Sequence, residues 1–257
     1  MPEKSRGSWS NRNGWEGQGA RSRAGGGLLA TGALCYGSDS DDVMPLPRSI
    51  PLFPLPNVVL FPQVLLPLHI FEPRYREMVR EVAAGDELIG MILLRGAESP
   101  AGGDDVYRVG CAGRVVRKVE LPDGRSNILL QGVREFVPRE QRFDRPYRTA
   151  EVEWRAAFEK GLRLDAVLRG ALVERIRTAI GEQGAESVRL LSDPTLSDEM
   201  LVNLFAFALD LPVVEKQGLL EIDSLAGRAQ QLLDTLEFHA LEREFAPATE
   251  AMKPRVQ

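Results

Sequence analysis

Few side chains in this sequence are spaced for covalent chemistry. Its five lysines, Lys4, Lys118, Lys160, Lys216 and Lys253, never follow a glycine-rich loop. No backbone cradle for nucleoside triphosphate phosphates is therefore present, and ATP hydrolysis is not expected. The two histidines, His69 and His239, stand in unrelated segments and outside any H-E-x-x-H spacing, so a zinc hydrolase would need ligands gathered from distant elements. No serine occupies a G-x-S-x-G turn. Cys35 and Cys111 have unlike surroundings, which implies neither a disulfide framework nor a zinc knuckle. Cys111 lies in a strand-like run and reads as a buried, inert thiol. The expectation is a protein without catalytic residues, metal or cofactor; a triad dispersed in sequence is the one route left to a cryptic hydrolase.

A different kind of signal sits in the apolar, proline-studded opening from Ile50 to Ile70, which carries Pro51, Pro54, Pro56, Pro62 and Pro67. Proline cannot donate to a central ladder, so this region should form edge strands and rigid extended connections. It admits two readings. In one, its apolar residues are core, with the prolines guarding a sheet edge. In the other, rigid edge backbone beside Phe53, Phe61, Leu66, His69 and Phe71 leaves an apolar groove that accepts an extended peptide by strand addition. Glu72, Arg74 and Tyr75 follow at a strand-to-helix junction. They read as structural: Glu72 at the helix cap and paired with Arg74, Tyr75 in the core with its hydroxyl at the rim.

These residues need a scaffold, and the period of the apolar pattern describes one. From Ile50 to Trp154 short apolar runs alternate with turn signals, which predicts a small β-rich domain. Leu88 to Leu94, Val106 to Val109, Ala112 to Leu121, Asn127 to Leu130, Val133 to Val137 and Tyr147 to Trp154 are the strand candidates. Pro122, Asp123 and Gly124 supply a hairpin turn, and Gly132 separates two of the runs. So many short strands suggest a closed or nearly closed barrel, since closure removes exposed edges. One helix is inserted after Pro73, with Tyr75, Met78, Val79 and Val82 on one face.

Beyond Trp154 the period changes from two to 3.6, placing a subdomain boundary near residue 157. Leu164, Val167, Leu168, Leu172, Ile176 and Ile180 form one stripe, and Met200, Leu201, Leu204, Phe205 and Leu209 a second, capped by Thr195 or Ser197. A short helix starts at Pro212. A last one, capped by Asp223 or Ser224, carries Leu225, Ala229, Leu232, Leu233, Leu236 and Ala240. The four should pack as a bundle over residues 157–245, with a disordered tail at 246–257. The expected class is α+β.

Composition bounds the rest. The chain has 257 residues, 44% hydrophobic and 27% charged, with a formal net charge of -5. No run approaches the roughly 20 apolar residues of a membrane-spanning helix. The basic residues are scattered, without the concentrated footprint of a nucleic-acid binder. Residues 1–44 are rich in Gly, Ser, Arg and Asn and read as a disordered extension, with Met44 as the expected true start. The run Leu28 to Tyr36 is marginal in length for a signal-peptide core, contains Thr31 and Gly32 and lacks a convincing cleavage site, so secretion is not expected. A reducing, cytoplasmic setting is expected.

The segment IPLFPLPNVVLFPQVLLPLHIFEPRYREMV resembles the opening of the Lon protease N-terminal domain family, especially its short stand-alone bacterial members. VYRVGCAGRVVRKVELPDGRSNILLQGVREF is similar to that family's strand and hairpin series, and LPVVEKQGLLEIDSLAGRAQQLLDTLE to its helical close. The resemblance covers approximately Pro47 to Glu244. It implies a PUA-like β-barrel over 47–156 followed by the helical bundle. It also implies recognition of unfolded or tagged polypeptide, without the ATPase and peptidase modules. The leading functional expectation is a non-catalytic polypeptide-binding or adaptor module linked to protein quality control, with a protease or chaperone as a conceivable partner. RNA binding is the alternative, because PUA-like barrels often read RNA, although the acidic balance opposes it.

Overall fold

A computed structural model describes residues 46–96, 105–181 and 196–251, with side chains through 245. The expectations for residues 1–44, including Met44, Cys35 and the run Leu28 to Tyr36, lie outside the described residues. The described chain is α+β, in the order β1 (Ser49–Leu55), β2 (Leu65–Ile70), α1 (Pro73–Val82), β3 (Leu88–Leu93), β4 (Gly110–Glu120), β5 (Ser126–Arg142), β6 (Thr149–Trp154), α2 (Ala166–Ile180), α3 (Asp198–Ala208), α4 (Val213–Glu221) and α5 (Leu225–Ala251).

The strands form one six-stranded sheet, ordered β2-β5-β4-β3-β1-β6, and β5 also pairs with β6. That extra pairing completes a hydrogen-bonded circuit through β1, β3, β4, β5 and β6, and leaves β2 outside it on the flank of β5. Only β1 and β3 run parallel.

Two sequence expectations change here. The proline-rich opening is not all edge, because β1 lies between β3 and β6. It pairs with β6 over Ser49–Pro51 and with β3 over Leu52–Leu55. Each half therefore has a partner on one flank only, and Pro51 and Pro54 need not donate on both. The second change concerns Gly132, which does not separate two strands. β5 runs through it unbroken, and the pairing with β4 is shifted between Ala112 and Gly113, a β-bulge. A Cβ on Gly132 would overlap the backbone of Phe61 and Pro62, so the glycine is there to let the β1–β2 connection lie directly on the sheet. Val106, expected in a strand, makes only an isolated bridge to Leu94.

The helices follow their stripes more closely. Tyr75, Met78, Val79 and Val82 of α1 are all buried. Glu72 holds the N-cap position without a side-chain cap bond; its carboxylate accepts from Arg74 Nε at 3.0 Å instead. Asp165 caps α2 by accepting from Val167 and Leu168, Ser197 caps α3 by accepting from Met200, and Ser224 Oγ accepts from Gly227 at the start of α5. In α2 the buried stripe narrows to Leu172 and Ile176, and Val167 faces solvent. The helix of α5 continues past Phe245 to Ala251, beyond the end expected from its apolar stripe.

Two apolar clusters result. Ile50, Leu52, Ile92, Ala112, Phe136 and Ala150 fill the inside of the strand circuit. The larger cluster lies between the other face of the sheet and the helices, and joins Phe53, Ile89, Met91 and Leu130 to Leu172, Leu201, Phe205, Leu232 and Leu236. The strand-rich and helix-rich halves thus share one core across the expected boundary.

A buried polar cluster crosses the same seam. Arg228 of α5 is 0% exposed, and its guanidinium donates to Asn203 Oδ1 at 2.7 Å, to Glu135 Oε1, and to the Leu220 and Ile222 carbonyls. Glu135 of β5 also accepts from Arg155 at 2.6 Å, and Arg155 donates to the Leu220 and Glu221 carbonyls. Asn203 donates to the Pro62 carbonyl, and Gln217 to that of Val109. Helices α3, α4 and α5 are each tied to a defined point on the strand layer.

Replacing Arg228 by Leu should lower the free energy of unfolding in urea by about 3 kcal/mol or more, because Glu135 loses a guanidinium inside apolar surroundings. The double variant Arg228→Leu, Glu135→Leu should recover part of that loss; a single variant as stable as the parent would exclude this role. At the α4–α5 contact, His239 Nε2 pairs with Glu215 and Nδ1 with Glu242. The hydrogen bond to Glu215, chiefly, holds the imidazole above its ordinary pKa of 6.5. A raised pKa stabilises the fold fully below the unfolded value and ceases to do so as pH climbs through the folded one. The Tm gap between parent and His239→Gln should therefore be widest below about pH 6 and close above neutrality.

Candidate functional site

Cys111 is buried with its Sγ directed at the Ala112 carbonyl, and burial pushes its thiol far above the usual range. Among the described residues no three His, Cys, Asp or Glu side chains converge as a metal site. A cavity of about 350 Å³ lies between the end of α1 and the start of β6. Its polar groups are engaged with each other: Tyr147 donates to Glu81 at 2.6 Å, Arg145 pairs with the same carboxylate, and burial raises the Tyr147 hydroxyl pKa.

The residues singled out from sequence separate into two groups. Phe53 is buried with its ring centroid 4.2 Å from that of Tyr75. Phe61 is 0% exposed, 5.8 Å from the Arg228 guanidinium, and Leu66 is buried as well. These three are core, so a groove lined by them is not present; the reason is the close seating of the β1–β2 connection on Gly132. His69 and Phe71 do face solvent, Phe71 at 59% exposure. Glu72, Arg74 and Tyr75 form the expected junction, with the Arg74 guanidinium 4.4 Å from the Tyr75 ring and Tyr75 buried.

His69 and Phe71 belong to a surface larger than the sequence indicated. Where β4 and β5 extend past β3, they carry β2 with them as a three-stranded flap. Its strands register in three rows, Leu65 with Gln131 and Arg114, Pro67 with Leu129 and Arg117, and His69 with Asn127 and Val119. All nine side chains lie on the front of the flap, because side chains alternate between the faces of a strand. Behind them Leu66, Ile70, Val115, Ile128 and Leu130 pack into the large cluster. The front is open: Val119 is 39% exposed, and Val116, the residue displaced by the second bulge, 46%.

The flap's edge is also free. The Val64 carbonyl accepts from the Gly132 N–H at 2.9 Å, so alternation turns the backbone groups of Leu66, Leu68 and Ile70 toward β5 and those of Leu65, Pro67 and His69 away from it. Among the described residues no strand pairs with that outer side. At the top of the front face Arg125 Nη1 lies 3.4 Å from His69 Nε2, and Asn127 Oδ1 2.7 Å from His69 Nδ1. Arginine can only donate, so Nε2 accepts and Nδ1 carries the proton given to Asn127. The imidazole is thereby fixed, stacked 6.2 Å from the ring of Phe71.

A family profile described as the ATP-dependent protease La (LON) substrate-binding domain matches residues 49–237. The chain belongs to this family. The Lon protease of Flavobacterium johnsoniae is 29% identical over 204 residues, covering 77% of this chain and 24% of the relative. Lon protease 2 of Myxococcus xanthus is 27% identical over 202 residues, again with 24% of its length covered. The chain thus spans about a quarter of the length of these curated relatives, and the matched part is the substrate-binding domain of Lon, not the protease or ATPase domain. A Lon N-terminal domain protein from Xanthomonas campestris superposes with a TM-score of 0.57 at 25% identity, over 72% of this chain and 97% of that one. The N-terminal domain of Mycobacterium avium complex Lon protease superposes equally well at 15% identity, which speaks for the fold alone. The α+β class and the resemblance to Lon stand as expected. Among the described residues no helix is long and apolar enough to cross a membrane.

The division between core and face is open to a direct check. Phe61→Ala should cost about 3–5 kcal/mol in urea unfolding, whereas Phe71→Ala should stay within about 0.5 kcal/mol of the parent. The reverse order would place the wrong phenylalanine at the surface.

Proposed function

We propose that this chain is a non-catalytic module that holds extended or unfolded polypeptide on the open front of the β2–β5–β4 flap, as an adaptor in protein quality control. One observation carries the reading: in a Lon substrate-binding fold, a solvent-exposed sheet face with apolar side chains ends in a strand whose outer backbone groups pair with no strand among the described residues. An extended peptide satisfies both features. One segment of it can bond to Leu65, Pro67 and His69 at the edge, and the segment that follows can cross the front, its apolar side chains covering Phe71, Pro67, Leu129 and Val119. Pro67 removes one donor from that edge, which limits open-ended strand pairing between copies while leaving the carbonyl available.

Binding of this kind is weak and broad. Covering a few exposed side chains contributes about 25 cal/mol per Å² of apolar surface, and ordering the peptide takes back much of that gain. Dissociation constants in the micromolar range follow.

Immobilised protein should retain a permanently unfolded reporter, such as reduced and carboxymethylated α-lactalbumin, and release it on addition of a short apolar peptide. The double variant Phe71→Ser, Val119→Ser should lower retention at least about fivefold while keeping the parental Tm, since both side chains are exposed. Failure of the parent protein to retain any unfolded reporter would refute the proposal.

A further inference from the structure

The charges on the flap are opposite in sign to those of the protein as a whole. The chain carries a formal net charge of -5. Its open front bears Arg114 and Arg117 from β4 and Arg125 from the hairpin, against a single carboxylate, Asp123. Asp123 is already bonded to Arg125 at 2.6 Å. Arg114 and Arg117 have no ion-pair partner among the described residues, and Glu120, the acid of β4, pairs with Lys118 at 2.7 Å. Two arginines without counter-charges among the described residues thus stand within the same three rows as Pro67, Leu129 and Val119.

Resting on the polypeptide-binding reading above, we infer that the flap selects segments in which carboxylates are interspersed among apolar residues, the carboxylates meeting Arg114 and Arg117 and the apolar side chains meeting Pro67, Leu129 and Val119. Guanidinium groups bind carboxylates in bidentate geometry, and like charge would be repelled from the same face. The occupant is polypeptide and not RNA on two counts. The apolar part of the face is mainly aliphatic, with Phe71 as its exposed phenylalanine, where a single-strand reader presents several stacking rings. Two arginines unpaired among the described residues of an acidic protein also make a small electrostatic footprint for a phosphate backbone.

The inference is tested on the full chain by fluorescence polarisation, with three fluorescein-labelled unstructured peptides sharing one set of Leu and Phe positions and carrying Glu, Gln or Lys between them. The Glu peptide should bind about fivefold more tightly than the Gln peptide, as expected of two exposed ion pairs, and the Lys peptide most weakly. That preference should shrink as salt rises from about 50 to 300 mM. Arg114→Gln, Arg117→Gln should abolish the discrimination between Glu and Gln peptides while keeping the parental Tm and the affinity for the Gln peptide. Equal binding of the Glu and Gln peptides would overturn this selectivity yet leave polypeptide binding intact; no binding of any peptide would instead sink the underlying reading. Tight binding of an oligouridine probe, lost in the same double variant, would assign the two arginines to nucleic acid and overturn the inference.

Discussion

One buried guanidinium sets the relation between the two layers of this protein. Arg228 has no exposed surface, and its donors are spread over Asn203, Glu135 and two carbonyls at the end of α4. A charge in such surroundings is tolerable only when it is paired and hydrogen-bonded; both terminal nitrogens of Arg228 have acceptors, and the Nε–H alone has none among the described residues. Rotating α5 or sliding it by a turn would strand the arginine and leave Glu135 with Arg155 alone, whereas an all-apolar seam would tolerate several packings. Arg155 adds to the constraint by reaching from the end of β6 to the same carboxylate and to the last carbonyls of α4. The seam is therefore specified by hydrogen-bond geometry as well as by burial, and the large apolar cluster can include residues of both layers.

With the helices fixed behind it, the sheet divides its labour. The strands of the circuit close over their own side chains, Ile50, Leu52 and Phe136 among them. Among the described residues β2 has only β5 as a neighbouring strand, and it stays in place because its back face, Leu66 and Ile70, is buried against the larger cluster. The link preceding it is clamped onto the sheet at Gly132, where any side chain would strike Phe61. The front of the flap is thus held from behind without being covered by any described residue. A preorganised face of this sort does not have to be ordered when something settles on it, which matters where the available contact area is small.

Much of this was legible in the residue pattern, and the failures share a cause. Helix α1 was readable because Tyr75, Met78, Val79 and Val82 repeat at helical spacing, and the β4–β5 hairpin because Pro122, Asp123 and Gly124 have the turn chemistry, with Gly124 at φ +79°. Parity was not readable. A strand's period is two, so a single inserted residue exchanges inside and outside, and nothing local marks a bulge. Val115 is buried and Val119, four residues on, is exposed for that reason. Phe61 and Phe71 look equivalent as phenylalanines beside prolines, yet one lies under the helices and the other ends a solvent-facing row. The alternation of Leu65, Pro67, His69 and Phe71 was the signal that could have separated them. Arg228 was invisible for a different reason, since an arginine beside an apolar helical stripe normally reads as solvated.

The charges follow the same logic of one covered and one open side. Where acids and bases meet at the seam or the sheet edges they are matched, as in Arg148 with Asp105 and Arg139 with Glu153. On the flap, the front and back of a single strand differ: Lys118, facing the buried side, has Glu120, while Arg114 and Arg117, facing the front, are left to solvent among the described residues. An arginine whose counter-charge is supplied by its own fold adds little to binding, because a ligand must first compete for it. Uncommitted arginines on a rigid and partly apolar surface carry no such cost. The position of these two side chains, beside aliphatic residues that cannot themselves discriminate among polypeptides, is what gives the open face a basis for choosing between sequences.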